Sequence, residues 1–185
     1  ELLKLKDVDE SLVKELERDT SRLERITERF SKIGSKPELL NINLIEVLNS
    51  AVGYLKRRSS DKVRFETNFD ENTRIDVPLN AALFSWVIEN ICKNAIDAMA
   101  NEGTITLHVK EKDNQVHIDI SDTGCGVPKS NQKTIFQPGF STKKRGWGLG
   151  LSLAKRIVEI YHNGKIFIKW SEIGKGTTFR IILQK

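Results

Sequence analysis

Two asparagines, one aspartate and a set of glycines are the residues of this chain whose types and spacing suit chemistry. Asn90 and Asn94 stand one helical turn apart in Glu89-Asn90-Ile-Cys-Lys93-Asn94-Ala-Ile-Asp97-Ala98, so they share a face. Asparagine is a mediocre helix former, and a pair of them beside Ile88, Ile91 and Ala95 points into something polar. An amide carbonyl is a hard oxygen donor, suited to Mg²⁺ held jointly with substrate phosphates. Capping of neighbouring loops is the plainer alternative for the pair. In Ile118-Asp-Ile-Ser-Asp122-Thr-Gly124-Cys-Gly126-Val-Pro128 a strand ends on a carboxylate and enters a glycine turn. Such a carboxylate can accept a hydrogen bond from an exocyclic amine, and glycines let backbone approach a planar ring. The same run is equally an ordinary turn, and as an aspartic-protease signature it lacks the second carboxylate. Gly146-Trp-Gly148-Leu-Gly150-Leu-Ser152 leads into a helical pattern, where exposed N–H groups cradle phosphate. Its spacing is not GxGxxG and no strand precedes it. Gly174-Lys-Gly176-Thr-Thr178-Phe179, alone, is only a hairpin turn.

These groups need a scaffold, and hydrophobic periodicity supplies one. Residues 1–33 read as a long helix with Leu5, Leu12, Ile26 and Ile33 on one heptad position and Leu16, Leu23 and Phe30 on another. Asp9 and Asp19 interrupt the seam, and Gly34-Ser-Lys-Pro37 ends it. So narrow a stripe calls for a partner, as in half of a coiled-coil-like bundle. A second helix starts at Asn43, with Glu46 placed for a capping box, and runs to Lys56-Arg57-Arg58. Val63 to Phe69 alternates as a strand, and Leu79 to Ala100 is a rich apolar helix. Thr104–Val109 and Val116–Ser121 form a hairpin around Asp113-Asn114; Ile166–Trp170 and Thr177–Leu183 form another over Gly174-Lys-Gly176. Between them lie an irregular polar stretch, Val127 to Arg145, and a helix from Leu149 to Tyr161. Helices alternating with antiparallel hairpins imply a two-layer α/β sandwich, helices on one face of a mixed sheet.

Composition narrows the class. With 185 residues, 38% hydrophobic and 30% charged, the chain fits one globular domain with an appendage. No apolar run reaches the ~20 residues of a membrane span, and no signal peptide opens it. The net charge of +5 is spread among nearly as many acids rather than gathered in a basic, aromatic stripe, so nucleic acid is not the expected partner. Cys92 and Cys125 have neither metal-ligand nor disulfide spacing, which suits a reducing compartment. The chain starts at Glu1 without a methionine and reads as a piece of something longer.

Taken in order, the clusters resemble the catalytic ATP-binding domain of sensor histidine kinases, within the gyrase/Hsp90/histidine-kinase/MutL superfamily and its Bergerat-type fold. Residues 89–98 are similar to the N box, 122–128 to the G1 box, Ile135-Phe-Gln-Pro-Gly-Phe-Ser-Thr-Lys143 to the F box, 146–151 to the G2 box and 174–179 to the last glycine motif. The resemblance divides the chain into 1–36, the second helix of a dimerisation and histidine-phosphotransfer hairpin, and 37–185, the catalytic domain. It implies Asn94 as the Mg²⁺ ligand, Asn90 beside the phosphates and Lys93 as a phosphate contact. Asp122 takes the adenine amino group, with Thr178 in support through water, and Gly124 and Gly126 shape the pocket. Gly146, Gly148, Leu149 and Gly150 contact the phosphates, and Val127 to Arg145 is a mobile lid from which Lys143, Lys144 and Arg145 approach the γ-phosphate.

The departures are specific. Asp97 and Ala98 stand where many members carry a basic residue and then an aromatic, Gly139 replaces a second aromatic in the F box, and Trp147 replaces a small residue. The only histidines are His108, His117 and His162, none in the leading helix, so the phosphoacceptor is absent. The resemblance thus implies a cytoplasmic domain of a membrane-anchored protein. It uses ATP and Mg²⁺, serves a histidine helix outside the chain and a response regulator, and dimerises at full length. The alternatives are an ATPase or serine kinase of the superfamily, with Glu89 activating water, and a degenerate non-catalytic nucleotide-binding module.

Overall fold

A computed structural model describes residues 37–70, 72–142 and 147–185. The expected leading helix, residues 1–36, lies outside the described residues. Residues Glu38–Lys185 form one unit. Its elements are β1 (Leu40–Asn43), α1 (Leu44–Lys56), β2 (Val63–Asn68), β3 (Asp76–Leu79), α2 (Ala81–Ala98), β4 (Gly103–Lys112), β5 (Gln115–Asp122), α3 (Gly150–Arg156), β6 (Lys165–Glu172) and β7 (Gly176–Gln184). A 3₁₀ turn at Thr134–Phe136 interrupts the long loop, and α3 continues as a π turn, Ile157–Tyr161.

Five strands make a mixed sheet in the order β2-β4-β5-β7-β6, with β2 parallel to β4 and the other pairs antiparallel. Period-two alternation puts Ile105, Leu107, Ile118, Ile120, Phe179 and Ile181 on one face, all buried. Against that face pack the apolar stripes of α1 (Leu48, Val52, Leu55), α2 (Phe84, Ile88, Ile91) and α3 with its π turn (Ala154, Ile157, Val158). Burying each large side chain contributes about 1.5–3 kcal/mol, which is what holds two layers together. The two-layer sandwich is as expected. The β1–β3 ribbon was not legible, because two four-residue strands with a proline at Pro78 carry too little alternation.

Two asparagines start the helices that matter. Asn43 caps α1, its Oδ1 accepting from Ile45 N at 3.2 Å and from Ile75 N at 3.2 Å. Glu46 accepts from the Asn43 side-chain amide at 3.0 Å, a variant of the expected box in which the return bond goes to side chain. Asn80 caps α2 through Leu83 N at 3.1 Å, and its own N–H donates to Nε2 of His162 at 3.1 Å. Since that nitrogen must accept, the proton of His162 sits on Nδ1, which donates to the Ile157 carbonyl at 2.9 Å.

His162 is therefore a neutral strut between the start of α2 and the end of α3, and burial pushes its pKa below the ordinary value. A histidine that protonates less readily folded than unfolded contributes stability in full above about pH 6.5 and loses it as pH falls. Urea unfolding from pH 7.5 to 5.5 is expected to show a decline, for one proton at most about 1.4 kcal/mol per pH unit. The decline should be smaller in His162→Gln, what remains coming from His117, whose pKa burial and then the Arg180 charge also lower; an equal decline in both chains would refute the strut.

Candidate functional site

The polar face of α2 organises the site. Asn90, Asn94 and Ala98 lie in one row down the helix. At the upper end, Gly150 opens α3 directly on Asn90: a Cβ there would stand 2.5 Å from its Oδ1 and 2.8 Å from its Nδ2. At the lower end, the Ala98 carbonyl accepts from Cys125 N at 3.0 Å, and a Cβ on Gly124 would stand 2.8 Å from Ala98. Asn94 sits between. One row of α2 thus joins the glycine turn after β5 to the glycine run before α3, the two segments expected to meet.

Within this row Nδ2 of Asn90 is buried and has no hydrogen-bond partner among the described residues. An orphaned buried donor costs about 1–3 kcal/mol, a cost that a ligand acceptor removes. Asp122, 7% exposed at the end of β5, is the buried carboxylate of the site. Burial raises its pKa, while hydrogen bonds from the backbone N–H groups of Gly124 (2.8 Å to Oδ1) and Thr177 pull the other way without cancelling it.

The glycines around Asp122 permit a tight backbone crossing. Gly126, at φ +74°, would place a Cβ 2.2 Å from the Glu172 carbonyl oxygen. Gly176, at φ +122°, would place one 1.9 Å from the Asp122 carbonyl oxygen. The β6–β7 hairpin thus seats on the turn after β5, with Gly174 N donating to the Cys125 carbonyl at 2.9 Å. What read as an isolated hairpin turn is a wall of the same site.

Register corrects the expectation for Thr178. Asp122 pairs with Thr177 across β5 and β7, and Ser121 pairs with Thr178. Thr177 is therefore on the inner face with Asp122, whereas the Thr178 hydroxyl meets that of Ser121 at 2.9 Å on the outer face. Adjacent threonines in a strand always face opposite ways, and nothing in the sequence said which faced in.

Lys93 was expected at the phosphates, but its ammonium pairs with Glu89 at 3.1 Å and lies 6.0 Å from the Tyr54 ring. With Asp97 it lines an open groove of about 340 Å³ against α1. The glycine run before α3 is clasped by the F-box stretch, Gly139 N donating to the Gly148 carbonyl at 3.1 Å. A Cβ on Gly148, at φ +63°, would stand 2.4 Å from Gly139. Gly139 itself has φ +83°, a conformation an aromatic there would strain. Phe136 anchors the stretch edge-to-face on Phe179, centroids 6.2 Å apart. Leu149 leads directly into α3, its carbonyl accepting from Leu153 N at 3.0 Å. Trp147 is exposed. Lys143, Lys144, Arg145 and Gly146 lie outside the described residues.

The fold and this row define a nucleotide-binding α/β sandwich with an asparagine-bearing helix over a buried aspartate. The chain belongs to the histidine kinase-, DNA gyrase B-, and HSP90-like ATPase family, whose model matches residues 80–185. It is 31% identical to sporulation kinase C of Bacillus subtilis over 153 residues, 80% of this chain and 35% of that protein. It is 43% identical to the signal transduction histidine-protein kinase AtoS of Escherichia coli over 109 residues, 57% of this chain and 18% of that protein. The chain thus spans about a third or less of these relatives. Among solved structures, the catalytic domain of histidine kinase ThkA superposes with a TM-score of 0.66 at 28% identity, covering 80% of this chain and 97% of that one. ThkA is also solved in complex with the response regulator protein TrrA; that structure has a TM-score of 0.71 at 26% identity, covering 98% of this chain and 54% of that one. This is an ATP-binding domain of the kinase branch of the family.

Proposed function

We propose that this chain transfers the γ-phosphoryl group of ATP to a histidine imidazole outside it, as the kinase domain of a sensor histidine kinase. The observation that carries this is the buried, unpartnered amide of Asn90, held against Gly150 at the mouth of the glycine run. Asn90 donates to a phosphate oxygen, and the backbone amides of Gly148, Leu149 and Gly150 supply further donors. The donor set fits Mg²⁺: Asn94 offers one hard oxygen, and among the described residues no cluster of acids, His or Cys competes for a metal. When bound, the ion neutralises charge on the phosphates. Asp122 accepts from the adenine amine, and Thr177, rather than Thr178, completes that edge.

In the reaction the bond from the γ-phosphorus to the β,γ-bridging oxygen breaks as one to an imidazole nitrogen forms, and ADP leaves. The protein contributes position and electrostatics; Lys143 and Gly146 are assigned to the phosphates by motif position. Glu89, the acid a water-activating ATPase needs, is engaged by Lys93, which favours transfer over hydrolysis. Among the chain's own histidines, His108 is exposed on β4, His117 lies on β5 and His162 is the buried strut. Residues 1–36 are read as part of a dimerisation and phosphotransfer hairpin, in a protein that is a homodimer. The response regulator known as a partner of ThkA supports one here. Among the described residues no helix is long and apolar enough to cross a membrane; a cytoplasmic placement below a membrane anchor follows from the kinase reading.

Titration with ATP, with and without Mg²⁺, and incubation with γ-labelled ATP test this. Binding, with label only on an added histidine-bearing helix, is the expected result. Acid-labile label on the chain alone would place the acceptor within it, and no binding at about 1 mM nucleotide overturns the kinase reading.

A further inference from the structure

We propose that Ser171, which belongs to none of the nucleotide motifs, is a positioning residue that sets base selectivity by fixing the proton of the Thr177 hydroxyl; this rests on the nucleotide reading above.

Its placement comes from a β-bulge. Ile168 pairs with Phe179, but the next partners are Trp170 with Thr178 and Ser171 with Thr177, so Lys169 is an extra residue. Without the bulge the indole of Trp170 would stand opposite Thr177. With it, Ser171, Thr177 and Asp122 form one inner-face row across β6, β7 and β5. The extra residue is itself held, Lys169 Nζ donating to Asp119 at 2.8 Å on the outer face.

The protons of the row can be counted. Ser171 Oγ lies 2.8 Å from Val127 N, 3.1 Å from the Gly176 carbonyl oxygen and 2.9 Å from Thr177 Oγ1. An N–H can only donate and a carbonyl can only accept, so Ser171 accepts from Val127 and its one proton goes to Gly176. Its second lone pair is then met only if the Thr177 hydroxyl donates to it. The proton of Thr177 is thereby turned away from Asp122, and toward the base the row presents carboxylate and hydroxyl lone pairs alone. That edge matches an exocyclic amine with two N–H groups, directly or through water, and opposes the O6 carbonyl of guanine. The same Ser171 holds the N–H of Val127, the first residue of the lid, so base recognition and lid anchor share one hydroxyl.

Calorimetric titration of the whole chain with ADP and with GDP tests this. The unaltered chain should prefer ADP. In Ser171→Ala the Thr177 proton is free to turn, and the ADP-over-GDP ratio should narrow about tenfold, most of it from improved relative GDP binding. Ser171→Thr, which keeps the hydroxyl, should hold the ratio within about twofold. The outer-face control Ser121→Ala should leave it unchanged. A parallel loss for both nucleotides in Ser171→Ala, with the ratio intact, would mean a merely structural serine and overturn the proposal. Ser171→Thr behaving like Ser171→Ala would do the same. Absence of ADP binding by the unaltered chain would instead overturn the nucleotide reading on which the proposal stands.

Discussion

Replacing Asn94 by alanine is expected to lower the rate of phosphoryl transfer about 10²–10³-fold, the range for removing one preorganised group aimed at developing charge. Asn94 lies in the row between Asn90 and Ala98, on the helix face that meets the glycine run at one end and the turn after β5 at the other. It is partly exposed and not part of the apolar stripe of α2. The substitution should therefore leave the apolar packing of α2 intact while removing an oxygen donor. The decisive comparison is ATP binding with Mg²⁺ and with a chelator. The unaltered chain should bind more tightly with the metal, and Asn94→Ala should show no such difference. An undiminished Mg²⁺ effect in the variant would remove Asn94 as the ligand.

Asp122 should separate binding from stability. Asp122→Asn keeps the shape and an oxygen to accept from Gly124 N, but replaces an acceptor facing the base with an amide that can donate. Loss of a hydrogen bond to a charged group is worth about 1.5–3 kcal/mol, so ATP affinity should fall about 10–100-fold. The fold should not suffer in step. Burial raises the pKa of Asp122, so the ionised carboxylate at neutral pH is less favourable folded than unfolded, and stability falls as pH rises through 3.8 to the raised value. A neutral amide removes that penalty. Thermal unfolding at pH 7 should find Asp122→Asn at least as stable as the unaltered chain, and a clear loss of stability with full ATP affinity would contradict both halves of the argument.

The class of protein was legible early because its signals are local. Asn43 caps a helix, three- and four-residue apolar spacing defines both α1 and α2, and alternation marks β4, β5 and β7. The order of asparagines, aspartate and glycine runs is likewise written along the chain. What misled was any question decided by phase or by contact across strands. Thr178 was expected beside Asp122, but strand register places Thr177 there. Lys93 was expected at the phosphates, but α1 brings Tyr54 beside it and Glu89 neutralises it. Gly139, noted only as replacing a second aromatic of the F box, carries the N–H that pins that stretch to Gly148.

By itself, then, the sequence determined the sandwich, its helices and the set of residues able to meet a nucleotide, since caps, periods and glycine turns act over a few residues. Only the tertiary structure decided which of them face one another. Gly176 had to pass within a hydrogen-free distance of the Asp122 backbone, and one extra residue at Lys169 had to turn Ser171 inward beside Thr177. A bulge shifts every side chain beyond it to the other face of the sheet, and no pattern read along a single strand shows where pairing with its neighbour slips.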